Sequence, residues 1–397
     1  MPSDLALEGG TPVRSKILPY GRQWITDDDV DAVVATLRGD WLTTGPAVNE
    51  FEQALARVTG AADAVAVNSG TAALHAAMFA LQVGPGDEVI VPAMTFAASS
   101  NCVIYQGGTP VFVDVDPSTL LIDPAQVEAR LTPRTKAVVA VDYAGQPCDY
   151  TALRALADRH GFRIVADAAH SLGGSHGGTP VGSVADLSTF SFHPVKHVTS
   201  GEGGAITTND PALAARMRMF RTHGITSDAR QREATGSWFY EMVELGYNYR
   251  LTDFQCVLAT SQLKRLGEWV ARRQALAARY DAALQAFPWV SGLGRLPGTC
   301  HAYHLYVARL DTDRLSVDRA RVFAALRAEG IGVNVHYIPV HLHPYYRENL
   351  GTRPGDHPRA EAAYEQILSL PLFPLMEDGD VDDVVRALEK VGRAYAG

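Results

Sequence analysis

The chain has 397 residues, 47% hydrophobic and 20% charged, a balance that supports a large core and probable division into two domains. Its formal net charge of −9, from 35 basic and 44 acidic residues, argues against a nucleic-acid partner, and no basic amphipathic run points to a membrane surface. Four widely spaced cysteines (Cys102, Cys148, Cys256, Cys300) read as reduced thiols; with no apolar leader and no apolar run of roughly 20 residues, a cytoplasmic protein is expected.

In chain order, AVAVN (64–68) is the first strand candidate, followed by the Ala/Leu-rich helix of SGTAALHAAMFAL. EVIVP (88–92), PVFVDV (110–115), KAVVAVD (136–142) and RIVAD (163–167) repeat the strand pattern. Between them, SSNCVIYQ, PAQVEARL and YTALRALADRHG read as helices, the last closed by Gly161. Strands apolar on both faces and separated by helices predict an α/β fold with a mostly parallel sheet. STFSFH and GAITT add two strands. A long interdomain helix is expected over about 253–286, then a strand at HLYVARL, a helix at DRARVFAALRAEG, a strand at GVNVHYIPV and a terminal helix at VDDVVRALEKVGRAY. A large α/β domain over 15–250 and a smaller α+β domain over 251–397 follow from this reading.

Three short stretches could carry chemistry. Ser69-Gly70-Thr71 opens a helix, where free N–H groups suit a phosphate, although Ser-Gly-Thr is also an ordinary N-cap. Asp167 stands at the carboxyl end of a buried strand, where ligands sit in open α/β sheets, although a structural salt bridge would place it there too. His170, three residues on, fits a packed or capping histidine as well as a ligand contact. Lys196 follows the strand carrying Ser191 and His193; it is either a solvated surface lysine or an amine made nucleophilic by a low-dielectric cleft. Together the three match the needs of pyridoxal 5′-phosphate: a covalent lysine, an acid for the ring nitrogen and a phosphate cup. GGSHGG and SGEGG match no nucleotide-binding fingerprint. His336, His341, His343 and His357 sit in a proline-containing loop without thiolates, so no metal is expected, and the apolar, aromatic run YIPVHLHPYY reads as a lid.

SGTAAL, PAMTFAASSN, DAAHSLG, FSFHPVK with GEGGAITT, and GYNYRLTDFQ resemble the DegT/DnrJ-type sugar aminotransferases, from about Pro19 to the C-terminus. The resemblance implies a fold-type I (aspartate aminotransferase-like) enzyme that uses pyridoxal 5′-phosphate, passes through pyridoxamine 5′-phosphate in turnover and acts as a homodimer. It implies that Lys196 forms the aldimine and shuttles the proton, that Asp167 pairs with the ring nitrogen, and that Phe96 stacks on the ring. It further implies that Ser69, Gly70, Thr71 and Ser191 hold the phosphate, with His170 near the ring hydroxyl. Asn248 and Arg250 would reach the neighbouring subunit's site, Asn248 toward phosphate and Arg250 toward a substrate anion.

VDYAG (141–145), FSFHPVK and VHYIPVH (335–341) most resemble the C-4 aminotransferases of pseudaminic-acid synthesis, which implies glutamate as donor and a UDP-linked 4-keto-6-deoxy-N-acetylhexosamine as acceptor. GDP- or dTDP-linked 3- or 4-keto sugars are the alternative. Tyr20, Trp41, Tyr143, His193, Arg250, Tyr337 and His341 are the expected substrate residues. A related dehydratase branch carries histidine in the lysine slot; Lys196 disfavours it, although His197 lies beside it. A non-catalytic, cofactor-binding regulator is the reading of another class.

Overall fold

The computed structural model describes residues 4–227, 232 and 236–397. Its central sheet uses β1 (Asp63–Val67), β2 (Glu88–Pro92), β3 (Thr109–Val113), β4 (Thr135–Val141) and β5 (Arg163–Asp167). A short pair, β6 (Ser175–His176) and β7 (Thr179–Pro180), precedes the last two members, β8 (Leu187–Ser191) and β9 (Gly204–Thr208). The sheet order is β1-β9-β8-β5-β4-β2-β3; β9 is antiparallel to both its neighbours and every other pairing is parallel.

The continuous apolar runs have a direct cause. Alternate residues enter two separate cores: Ala64, Ile90, Val138, Ile164 and Phe190 on one face, Val65, Val89, Val139, Val165 and Leu187 on the other. Helices α1 (Asp27–Leu37), α2 (Pro46–Thr59) and α3 (Gly70–Ala80) open the helical layers. The α2 residues Phe51 and Leu55 join the first core, while α3 is buried against the second through Ala73, Ala77 and Met78.

A third core holds the C-terminal part of the chain around Tyr280, Trp289, Leu326 and Val384, and draws Leu5 and Leu18 in from the N-terminal end. Its strands β10 (Val290–Gly292), β12 (Tyr306–Leu310) and β13 (Ile367–Leu370) are antiparallel, while β11 (Thr299–Cys300) pairs back onto β6.

The structure departs from the sequence reading in two places. The stretch 253–286 is two helices, Asp253–Leu263 and Leu266–Leu284, parted at Arg265 (φ −106°, ψ 2°). Cys256, Ala259 and Leu263 pack in the sheet core, as do Leu266 and Val270 just past the break, whereas Leu276, Tyr280 and Leu284 pack in the C-terminal one, so the second helix carries the chain from one core to the other. GVNVHYIPV is not a strand; only isolated bridges occur there, Leu18 with Ile331 and Asn334 with Ser369. Scattered partners take its backbone groups instead: Gly332 N–H donates to the Leu18 carbonyl at 2.7 Å and Val340 N–H to the Ala93 carbonyl at 2.9 Å, the Tyr143 hydroxyl donates to the His336 carbonyl, and the Tyr337 N–H reaches Met94 Sδ at 3.5 Å.

Candidate active site

The carboxyl ends of β4, β5 and β8 and the start of α3 converge on one cavity of about 400 Å³. Lys196, Asp167, His170, Phe96, Ser191 and Tyr337 all face it. Lys196 arrives there through a tight turn after β8, its N–H donating to the His193 carbonyl at 2.9 Å. Burial pulls the Lys196 amine down to about 8, with Asp167 opposing the shift. About a tenth of the amine is therefore uncharged at pH 7, far more than an ordinary lysine offers, and the uncharged form is what a nucleophile or base requires. His197 turns the other way: it is 3% exposed, and its Nε2 contacts the Ala302 carbonyl at 2.8 Å.

Asp167 is buried at the end of β5 and forms no ion pair among the described residues. Its anion is held by neutral donors: Ser99 Oγ at 2.6 Å on Oδ2 and the Ala169 N–H at 3.3 Å on Oδ1. Thr95 supports Ser99 at 2.7 Å. Burial raises the Asp167 carboxyl; the Ser99 hydrogen bond, the Ala169 N–H and the Lys196 charge act against it. A buried carboxylate without a cationic partner suits a protonated ring nitrogen.

Ser69 caps α3, its Oγ accepting from the Ala72 N–H at 3.1 Å, while the first N–H groups of a helix have no partner within it. Two glycines make room here. A Cβ on Gly70 would lie 2.9 Å from Ser191 Cβ, and one on Gly204 would lie 2.3 Å from the Ser69 carbonyl oxygen. The result is a small cup of Ser69, Gly70, Thr71 and Ser191 at the positive end of α3, fitted to a phosphate. This cup, the lowered amine and the unpaired buried carboxylate fit pyridoxal 5′-phosphate.

The other expected residues divide into two groups. Tyr20, His193 and Tyr337 line the cavity. The Tyr337 hydroxyl lies 3.1 Å from His170 Nε2, and its ring centroid is 5.9 Å from that of Phe96. Burial keeps His170 uncharged, helped by Lys196 and its neighbouring histidines. Tyr143 and His341 do not reach the cavity: Tyr143 sits behind it holding the His336 carbonyl, and His341 Nε2 is 2.9 Å from Glu361 Oε1. Trp41, Asn248 and Arg250 lie outside its lining as well, Asn248 on an exposed segment whose backbone pairs with Thr222. Among the described residues no three histidine, cysteine or carboxylate side chains converge as metal ligands.

Sequence reading missed Thr95, Ser99 and His304, and placed His336 only in a lid loop. Thr95 and Ser99 lie within PAMTFAASSN, and their i, i+4 spacing at a helix start was a usable signal. His304 offered none, because only distant chain pairing brings it to Lys196.

The DegT/DnrJ/EryC1/StrS aminotransferase family model matches residues 23–389. The chain is 43% identical over 385 residues to the spore coat polysaccharide biosynthesis protein SpsC of Bacillus subtilis, covering 95% of this chain and 98% of that one. Among solved structures it is similar to the putative sugar aminotransferase Spr1654 from Streptococcus pneumoniae in its PMP form, with TM-score 0.89, 34% identity, and coverage of 95% and 99%. It is also similar to Helicobacter pylori PseC, an aminotransferase involved in pseudaminic-acid biosynthesis, with TM-score 0.88, 29% identity, and coverage of 96% and 100%.

Proposed function

Because the chain belongs to the DegT/DnrJ/EryC1/StrS aminotransferase family, we propose that it moves the amino group of glutamate to a nucleotide-linked 4-keto-6-deoxy sugar, with a UDP-linked N-acetylhexosamine favoured. It is a pyridoxal-phosphate-dependent sugar aminotransferase of fold-type I. The observation that carries the catalytic reading is the convergence of Lys196, Asp167 and the α3 cup on one cavity. When bound there, pyridoxal 5′-phosphate supplies the electron sink that makes an amino acid's α-proton acidic.

The chain's own residues do the rest. Lys196 would hold the cofactor and, as the free amine, would accept the donor's α-proton on Nζ and give it up again as an acid. Asp167, whose carboxylate accepts from Ser99 Oγ and the Ala169 N–H, would face the ring nitrogen and favour its protonated state. Ser69, Gly70, Thr71 and Ser191 would hold the phosphate, with Phe96 over the ring and His170 toward its hydroxyl. Donor and acceptor use the site in turn, so ping-pong kinetics are expected.

Tyr20, His193 and Tyr337 face the sugar side of the cavity. The likeness to PseC and to SpsC supports an amino-sugar product. Asn248 and Arg250 serve a second subunit's site in a homodimer. That assembly is supported by the exposed apolar side chains beside them, with Trp238 84%, Met242 66% and Leu245 74% exposed. No helix among the described residues is long and apolar enough to cross a membrane; the proposed reaction is that of a cytoplasmic enzyme on small molecules.

The purified protein should be yellow, and borohydride should bleach it while fixing the cofactor to Lys196. A colourless Lys196→Ala variant that still transaminates sinks the assignment. For the acceptor, glutamate with a panel of UDP-, GDP- and dTDP-4-keto-6-deoxy sugars decides the nucleotide. If glutamate converts the cofactor to its pyridoxamine form and no sugar converts it back, the sugar reading fails.

A further inference from the structure

His304 is buried in the wall of the cavity, 5% exposed, and has no part in the chemistry described so far. Its Nε2 lies 3.5 Å from Lys196 Nζ, while its Nδ1 is buried without a hydrogen-bond partner. Its ring packs on that of His170 at 4.3 Å between centroids, with His197 at 5.9 Å on another side. An imidazole confined among rings, with a single polar contact, must direct that contact at the amine or leave both nitrogens unpaired.

The backbone around His304 is fixed from two directions. On one, Ala302 N–H donates to the Gly145 carbonyl at 2.8 Å and Leu305 N–H to the Ala144 carbonyl at 3.1 Å. The approach is so close that a Cβ on Gly145, at φ +103°, would lie 2.7 Å from the His304 nitrogen. On the other, Arg273 Nη1 donates to the carbonyls of Tyr303 and His304, both at 3.2 Å, and of Leu372 at 2.9 Å. Arg273 is 1% exposed and has no carboxylate partner among the described residues. Its charge therefore stands uncompensated behind the imidazole and resists a second positive charge there. Burial, Lys196, His170, His197 and Arg273 all act to keep His304 uncharged.

We propose that His304 is a positioning residue for Lys196: its neutral Nε2 accepts a hydrogen bond from Nζ whenever the amine is free, and so fixes where the base stands. The amine also faces Asp167; His170, His197 and His336 are further titratable groups coupled to it, and Tyr20, His193, Glu202 and Tyr337 line the same cavity. An accepted hydrogen bond favours the protonated amine, so losing it should ease deprotonation. The proposal rests on Lys196 being the reactive amine.

The cofactor-free protein provides the test, with the Lys196 side chain followed by NMR of ¹³Cε-labelled lysine and assigned by its loss in Lys196→Ala. His304→Phe, which keeps the ring and removes the acceptor, should move the amine's titration midpoint down by about one pH unit, the tenfold equivalent of one hydrogen bond. His304→Gln, which offers an oxygen near Nε2, should restore it. In the loaded enzyme His304→Phe should lower kcat for the glutamate half-reaction about tenfold with KM unchanged, and His304→Gln should recover most of it. An unchanged or raised midpoint in His304→Phe overturns the proposal, as does failure of His304→Gln to restore a lowered one. Failure of borohydride to fix the cofactor in the wild-type protein would instead overturn the role of Lys196 itself.

Discussion

Gly70→Ala separates cofactor holding from fold stability. The added Cβ falls 2.9 Å from Ser191 Cβ and 3.3 Å from its Oγ, where comfortable carbon contacts begin at about 3.5 Å. Ser191 Cβ is fixed to β8, so the overlap of roughly half an ångström must move β8 or the start of α3. Overpacking of this kind costs about 1–3 kcal/mol. Gly70 lies at the first turn of α3 without a left-handed φ, so alanine gives back up to about 1 kcal/mol of helix propensity. The net loss, about 0–2 kcal/mol, should leave the protein folded. Phosphate holding should suffer more, because Ser191 and the first N–H groups move together. Losing one charge-assisted hydrogen bond, about 1.5–3 kcal/mol, weakens binding roughly 10- to 100-fold. Thermal unfolding of the cofactor-free protein and an absorbance titration with pyridoxal 5′-phosphate measure the two effects separately. A folded Gly70→Ala protein that binds the cofactor within about twofold of wild type would refute the cup assigned to this turn.

Other consequences can be measured directly. Ser99→Ala removes the strongest donor to Asp167, so the carboxyl should protonate more easily; the acid limb of kcat/KM should move up by about one pH unit. A stationary limb would mean that Asp167 does not govern it. With the Lys196 amine at about 8, the rate at which cofactor-free protein becomes fixable by borohydride should rise with pH and level off above that value. A midpoint near about 10.5, the ordinary lysine range, would contradict the effect of burial. Far from the site, Lys390→Met strands the Glu329 carboxylate, which is 0% exposed and also binds the Ala6 and Val13 N–H groups. Denaturant unfolding should show a loss of about 3–5 kcal/mol, largely recovered by adding Glu329→Gln; a loss below about 1 kcal/mol would refute the pair's importance.

The sheet was readable because its physics is local. EVIVP, RIVAD and GAITT coincide with β2, β5 and β9, since strands buried on both faces need an unbroken apolar run. Gly161 closes its helix with φ 77°, as a left-handed terminus demands. Asp167 and Lys196 were legible as strand-end residues, and the structure brings both to one cavity. The segment 332–340 was misread because alternating apolar residues suggest a strand, while its backbone is in fact held one group at a time by Leu18, Ala93, Met94, Tyr143 and Ser369, residues that sequence spacing cannot connect to it. The break at Arg265 carries no proline, so no local signal marks it; the second helix starts in the sheet core at Leu266 and Val270 and ends in the C-terminal one at Tyr280 and Leu284. Tyr143 and His341 looked like substrate residues because aromatic and histidine side chains suit sugars. Their burial behind the cavity is decided by long-range packing.

The sheet order also sets a timetable for synthesis. β1 pairs only with β9, which begins about 140 residues later. At roughly 5–20 residues per second on the ribosome, β1 waits about 7–30 s for its partner. The Ser69–Thr71 turn leaves β1 directly, so the cup cannot be set before β9 is in place, and Arg273 cannot complete its grip until Leu372 has emerged. Cofactor capture therefore belongs to the end of translation, and a chain truncated before the last strand should lack the cofactor.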